Sequence, residues 1–196
     1  MGGMIAQTMA IQHPERVLSL TSIMSMTGQR RYGYQDPLLL PYFLRRAARS
    51  RSQYVESSVD FWQRIWSPEH HDTKEQFRDR AQVTWDRGVT LAGVTRQTIA
   101  VLTQPDRTEA LGRLTMPVTV VHGLADRMVH VSGGRATARA VPGAHLTLVP
   151  GMGHDLPEAL FDVFVTAVNR SANAAGDRTR AQPGETGGTA QGSGPA

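Results

Sequence analysis

The sequence predicts an α/β fold of about three parallel strands with flanking helices, interrupted by an all-helical insertion. Three observations predict it. Runs rich in β-formers alternate with helical periodicities between 117 and 169, and such alternation means parallel strands joined by right-handed crossovers. The stretch 28–105 carries helical spacings and cap residues but no strand pattern. The chain has 196 residues and no cysteine, so its core must come from packing alone. The missing cysteines also exclude a disulfide framework, a thiolate zinc site and a cysteine nucleophile.

Residues 3–13 are small and apolar, with Ile5 and Met9 four apart and Ala6 and Ala10 repeating that spacing, which reads as a helix buried on more than one side. His13-Pro14 ends it, because the residue before proline is pushed out of the α region. Val17 to Met24 reads as a buried strand. In the insertion, Asp36-Pro37 starts a helix with proline at its first position, and Ser50 with Gln53 caps the next. Val55, Val59, Trp62 and Trp66 then follow a 3-to-4-residue stripe. Asp72 with Glu75 caps a third helix, ended by Gly88, and Leu91, Val94, Thr98 and Val101 mark a fourth. Val118 to His122 is a strand, Ser132 to Ala140 a helix, His145 to Val149 a strand and Leu156 to about Asn169 a helix. From Ser171 to Ala196 there is no Leu, Ile, Val, Met or aromatic residue, so 171–196 is expected to be a disordered tail. The expected division is a core of 1–27 and 106–170, a helical cap or lid at 28–105, and that tail.

Two loops lie at the carboxyl ends of strands, where open α/β sheets place their sites. One reads His122-Gly123-Leu124-Ala125-Asp126 and the other Pro150-Gly151-Met152-Gly153-His154-Asp155. A carboxylate after one strand and an imidazole after the next can meet at one sheet edge. There the acid would hold the imidazole in one tautomer and the histidine would act as general base and acid. Gly151 and Gly153 let the backbone turn tightly before His154. Taken singly, an Asp in a loop is a turn residue and a lone His a surface or core residue. Their joint placement, with one helix between them, points to Asp126 and His154 as the functional pair.

These motifs resemble the α/β-hydrolase fold family from residue 1 to about 169. His122-Gly123-x-x-Asp126 is similar to its acid loop and Gly151-Met152-Gly153-His154 to its histidine loop. Met1-Gly2-Gly3-Met4-Ile5-Ala6-Gln7 is similar to the stretch just after its nucleophile. Ile23-Met24-Ser25 and Gly151 to Pro157 look most like the aclacinomycin methylesterase-type carboxylesterases. The resemblance implies a carboxylic-ester hydrolase, with methyl esters as one substrate class, a small-molecule ester as partner and no cofactor or metal. It implies Asp126 and His154 as catalytic residues and the Met1 backbone nitrogen as an oxyanion donor. It makes 28–105 a lid whose Tyr42, Phe43, Trp62 and Trp66 are substrate-pocket candidates, against the plainer reading of aromatics as lid core.

The family elbow is Gly-x-Ser-x-Gly, with the triad in the order serine, acid, histidine. Gly2 fits the final glycine, so the resemblance puts the serine immediately before Met1 and makes the chain a family member that starts just after its nucleophile. Epoxide hydrolases and dehalogenases carry an aspartate there instead. Ser22, Ser25 and Ser132 lie near strand ends but not on a strand-to-helix elbow. The 196 residues alone are therefore expected to be inactive, and a non-catalytic fragment that binds a partner is the alternative.

The formal charge is +4, and Lys74 is the only lysine among 21 basic residues. The densest basic cluster, Arg45, Arg46, Arg49 and Arg51, reads as a solvated helix face rather than a nucleic-acid surface. No apolar run approaches the roughly 18 residues of a membrane span, and the N-terminus lacks a charged leader region. A cytoplasmic protein without nucleic-acid or membrane partners is expected.

Overall fold

The computed structural model describes residues 1–43, 48 and 50–181. Arg45, Arg46 and Arg49 of the basic cluster lie outside them, as does 182–196 of the expected tail. Among the described residues, no helix is long and apolar enough to cross a membrane.

The centre is a parallel three-stranded sheet in the order β1 (Leu20–Ile23), β2 (Val118–Gly123), β3 (His145–Val149). Leu20 lies opposite Val118 and Ile23 opposite Val121, while Thr119 lies opposite His145 and Gly123 opposite Val149. Every residue of β2 is buried, as a central strand covered on both faces requires. Helix α1 (Gly2–Gln12) packs on β1. The crossover α7 (Ser132–Ala140) joins β2 to β3, and the long α8 (Phe161–Ala181) comes after β3 and lies on β2 and β1.

Two core clusters result, one for each face of β2. Val118 and Val120 pack with Ala10, Leu111, Leu114 and Val141 on one side. Val121 packs with Val149, Met152, Leu160, Phe164 and Ala167 on the other. The period-two alternation of a strand divides neighbouring valines between the two clusters.

Between β1 and β2 run α2 (Leu40–Phe43), α3 (Arg51–Ile65), α4 (Lys74–Asp86) and α5 (Leu91–Leu102), and then the one-turn α6 (Thr108–Leu111). No strand interrupts them among the described residues. Asp36 accepts from the Leu38 N–H beside Pro37, and Ser50 from the Gln53 N–H, as expected of caps. Helices α3 and α4 pack against each other, burying Val55, Val59 and Ile65 on one and Phe77 and Ala81 on the other. Helix α5 buries no side chain.

The structure corrects the sequence reading in several places. Helix α1 buries one face, through Met4, Gln7 and Ala10, while Ile5 is 60% and Met9 44% exposed. Strand β1 begins at Leu20 rather than Val17, because a helical turn at Pro14–Arg16 precedes it and Leu18 points into solvent. The cap of α4 is Thr73 with Gln76, one residue beyond the expected Asp72 and Glu75. Asp72 is engaged elsewhere, pairing with Arg80 and accepting from the Glu158 N–H. The tail expected from 171 is helical to 181. Small residues spaced by four, Ala167, Ser171 and Ala175, are buried, and Ser171 Oγ lies 2.7 Å from the Thr21 hydroxyl. Short side chains let that stretch lie close to the sheet, a packing that a count of large apolar residues does not register.

Candidate active site

Asp126 and His154 meet at the carboxyl edge of the sheet. Asp126 lies three residues past β2 and is 4% exposed. Its Oδ1 accepts the Met128 and Val129 backbone N–H groups at 2.9 and 2.8 Å, which closes the loop on the carboxylate. Its Oδ2 lies 2.8 Å from His154 Nδ1. A carboxylate only accepts, so Nδ1 carries the proton, and in the neutral ring Nε2 keeps the lone pair. His154 itself is half-buried.

His122 is a second partner, which the sequence reading treats only as part of a motif. It is fully buried at the end of β2, with Nε2 2.8 Å from the Val129 carbonyl and 3.4 Å from Asp126 Oδ2. The carbonyl can only accept, so Nε2 carries the proton and leans on the same carboxylate. Burial alone would raise the Asp126 carboxyl. The bonds from His122 and His154, the His154 charge and the Val129 N–H outweigh it and hold the group at about 2. Asp126 is thus built to stay ionised beside an imidazole.

The loop before His154 needs both of its glycines, for different reasons. Gly151 has φ +65°, the left-handed region that glycine adopts without cost. Gly153 faces the helical segment so closely that a Cβ there would sit 2.2 Å from the Trp66 carbonyl oxygen and 2.4 Å from that of Ile65. Ser67, just past α3, accepts from the Gly153 N–H and donates to Asp155, contacts that no local sequence motif announces.

Met1 precedes α1, and its carbonyl accepts from the Met4 and Ile5 N–H groups. The first turn of α1 abuts the residues just past β1, since a Cβ on Gly3 would stand 2.6 Å from Ser25 Cβ. That turn therefore lies at the carboxyl end of the sheet, the end that carries Asp126 and His154. The four aromatic candidates join one chain of ring contacts. Tyr42 and Phe43 lie against Phe61, Phe61 against Trp62, and Trp62 and Trp66 against Phe77, with Trp66 also stacked on His71 at 4.1 Å. Trp66 adjoins Ser67 and so reaches the histidine loop. Ser22, Ser25 and Ser132 are not bonded to the His154 ring, nor is any other serine or threonine hydroxyl among the described residues. Among those residues, no three His, Asp or Glu side chains gather as a metal site would require.

Residues 1–158 match the family described as alpha/beta hydrolase fold. The chain is 23% identical over 194 residues to rhodomycin D methylesterase of Streptomyces peucetius, covering 89% of this chain and 65% of that protein. It is 25% identical over 203 residues to the rhodomycin D methylesterase of Streptomyces sp. (strain C5), with the same coverage of both. The chain thus spans just under two-thirds of the length of these curated relatives. Among solved structures it is similar to 2-hydroxy-6-oxo-6-phenylhexa-2,4-dienoate hydrolase from Rhodococcus sp. strain RHA1, with a TM-score of 0.61 and 18% identity, covering 88% of this chain and 61% of that one.

Proposed function

The chain belongs to the α/β-hydrolase fold family, and from that premise we propose that Asp126 and His154 are the acid and base of a carboxylic-ester hydrolase acting on a small molecule. The observation that carries this reading is the 2.8 Å bond from His154 Nδ1 to a buried, ionised Asp126. It leaves Nε2 as the basic atom. His154 Nε2 would take the proton of an attacking hydroxyl as the ester carbonyl becomes tetrahedral, then pass it to the departing alkoxide. Water would release the acyl group by the same two transfers. Asp126 stays ionised throughout and stabilises the imidazolium. Two methylesterases among the relatives favour a methyl ester as substrate.

The attacking hydroxyl is proposed to belong to a serine immediately before Met1, with the Met1 backbone nitrogen as one oxyanion donor. Residues 28–105 are read as the lid and Tyr42, Phe43, Trp62 and Trp66 as its pocket-facing rings. By this reading the 196 residues supply acid and base but not the nucleophile. The test is hydrolysis of a short-chain nitrophenyl ester by the 196-residue chain and by one lengthened upstream in the same reading frame. Turnover by the longer chain alone, lost in His154→Ala, is expected. Losing one member of a triad costs on the order of 10⁴-fold or more in turnover. Turnover by the 196 residues that His154→Ala abolishes would contradict the placement of the nucleophile. A second reading, a fragment that binds a partner without catalysis, is favoured by the lack of a described hydroxyl on His154. Inactivity of both chains would select it.

A further inference from the structure

The main chain that carries His154 is held by the helical segment. Residues 153–155 dock on 65–67, the end of α3 and the two residues beyond it. The His154 N–H donates to the Ile65 carbonyl at 2.6 Å. The Gly153 N–H donates to Ser67 Oγ at 2.9 Å. Ser67 then donates twice to Asp155 Oδ1, from its N–H at 2.8 Å and its hydroxyl at 2.5 Å. Ser67 is fully buried and Asp155 is 5% exposed. The residues on both sides of His154 are thus fixed to one serine of the insertion, Gly153 through its backbone N–H and Asp155 through its carboxylate.

The arrangement is costly in isolation. Asp155 Oδ2 is buried without a partner, and burial pushes the Asp155 carboxyl up despite the two bonds from Ser67. A purely structural contact between two buried loops is met more cheaply by apolar side chains, because an unpaired buried polar atom costs stability. What the polar pair adds is direction. Ser67 Oγ has one proton, which it donates to Asp155, and it accepts from the Gly153 N–H, so both bonds form together only while the loop is seated on Ser67.

We propose that Ser67 and Asp155 form a latch in which Ser67 is a positioning residue for His154, seating the imidazole against Asp126 by holding the Gly153 N–H before it and the Asp155 carboxylate after it. The inference rests on the reading of His154 as the base. It makes the helical segment and the histidine loop move as one body, so undocking the segment withdraws the base from its acid.

The test is proton NMR of the full 196-residue chain, following the proton on His154 Nδ1, assigned by its loss in His154→Gln. In Ser67→Ala and Asp155→Ala that resonance weakens and its exchange with solvent rises by about tenfold or more. Asp155→Asn keeps it, because the amide oxygen still accepts both bonds from Ser67. Ser67→Ala and Asp155→Ala chains that fold and keep the resonance at its original position and exchange rate overturn the proposal. So does Asp155→Asn losing it as fully as Asp155→Ala, and so does its absence from the unmutated chain. Should the alanine variants fail to fold, hydrogen exchange of the unmutated chain decides. The Ser67, Gly153 and His154 amides then open at matched rates, and a His154 amide protected about tenfold or more beyond the other two would overturn the latch. An ester assay that fails leaves these readouts standing, so the two readings fail separately.

Discussion

Asp126 accepts three hydrogen bonds on two oxygens, from the Met128 and Val129 N–H groups on one and the His154 ring on the other, with His122 Nε2 3.4 Å from the second. The consequence is measurable away from catalysis. A carboxyl held at about 2 in the fold, against an ordinary 3.8, stabilises the fold above the higher value and loses that contribution as pH falls through the lower. The gap in unfolding free energy between the unmutated chain and Asp126→Asn is therefore expected to be on the order of 2 kcal/mol near neutral pH. It should close as pH falls from about 4 to about 2, as tracked by denaturant unfolding at stepped pH. A gap that stays constant through that window would contradict the bonding described. Asp126 and His154 are legible in the sequence because each sits in a short loop past a strand end, where local spacing and the parallel topology place them together. Ser67 is not legible. It stands 88 residues from Asp155, and only the folded insertion brings it to the histidine loop. His122 is visible as a motif letter, but its lean on Asp126 depends on where the loop turns at Val129.

Helix α8 shows where sequence reading stops short. A stretch of alanines and polar residues without one large apolar side chain reads as unable to bury surface. What decides the matter is the spacing of the small residues. Ala167, Ser171 and Ala175 recur every four positions on one face and are buried. Ser171 bonds to Thr21 of β1, and Arg178 reaches the Thr115 carbonyl. Truncation after Arg170 is accordingly expected to lower unfolding stability by about 2 kcal/mol relative to truncation after Ala181, from one part-buried hydrogen bond and the lost apolar contact. Denaturant midpoints of the two truncated chains measure it, and equal midpoints would restore the disordered reading for 171–181. By contrast α7 and β3 are legible to their end residues, because Pro142-Gly143 punctuates the chain between them.

At the scale of the whole molecule, a small parallel sheet and a helical insertion are joined by side-chain ties at separate points. Arg127 pairs with Asp36, Ser67 bonds to Asp155, and the buried Arg107 bonds to Gln7 of α1 and the Met26 carbonyl. The first two flank the acid and histidine loops, and the third fastens the return of the insertion to the core. The parallel topology is legible because strands and helices alternate after Pro117. The ties are not, since each joins residues far apart in the chain. Among the described residues β1 pairs only with β2, leaving its other edge without a strand. The turn that starts at Gly2 stands at the carboxyl end of that sheet, the end that also carries Asp126 and His154. We propose that this edge carries the acid and base of an ester hydrolase whose nucleophile immediately precedes Met1. The most direct test is intact-mass and peptide analysis after treating the upstream-lengthened chain with a fluorophosphonate ester. One adduct, on the residue just before Met1 and absent from His154→Ala, is the expected result. An adduct on a serine within residues 1–196, or none at all, would contradict it.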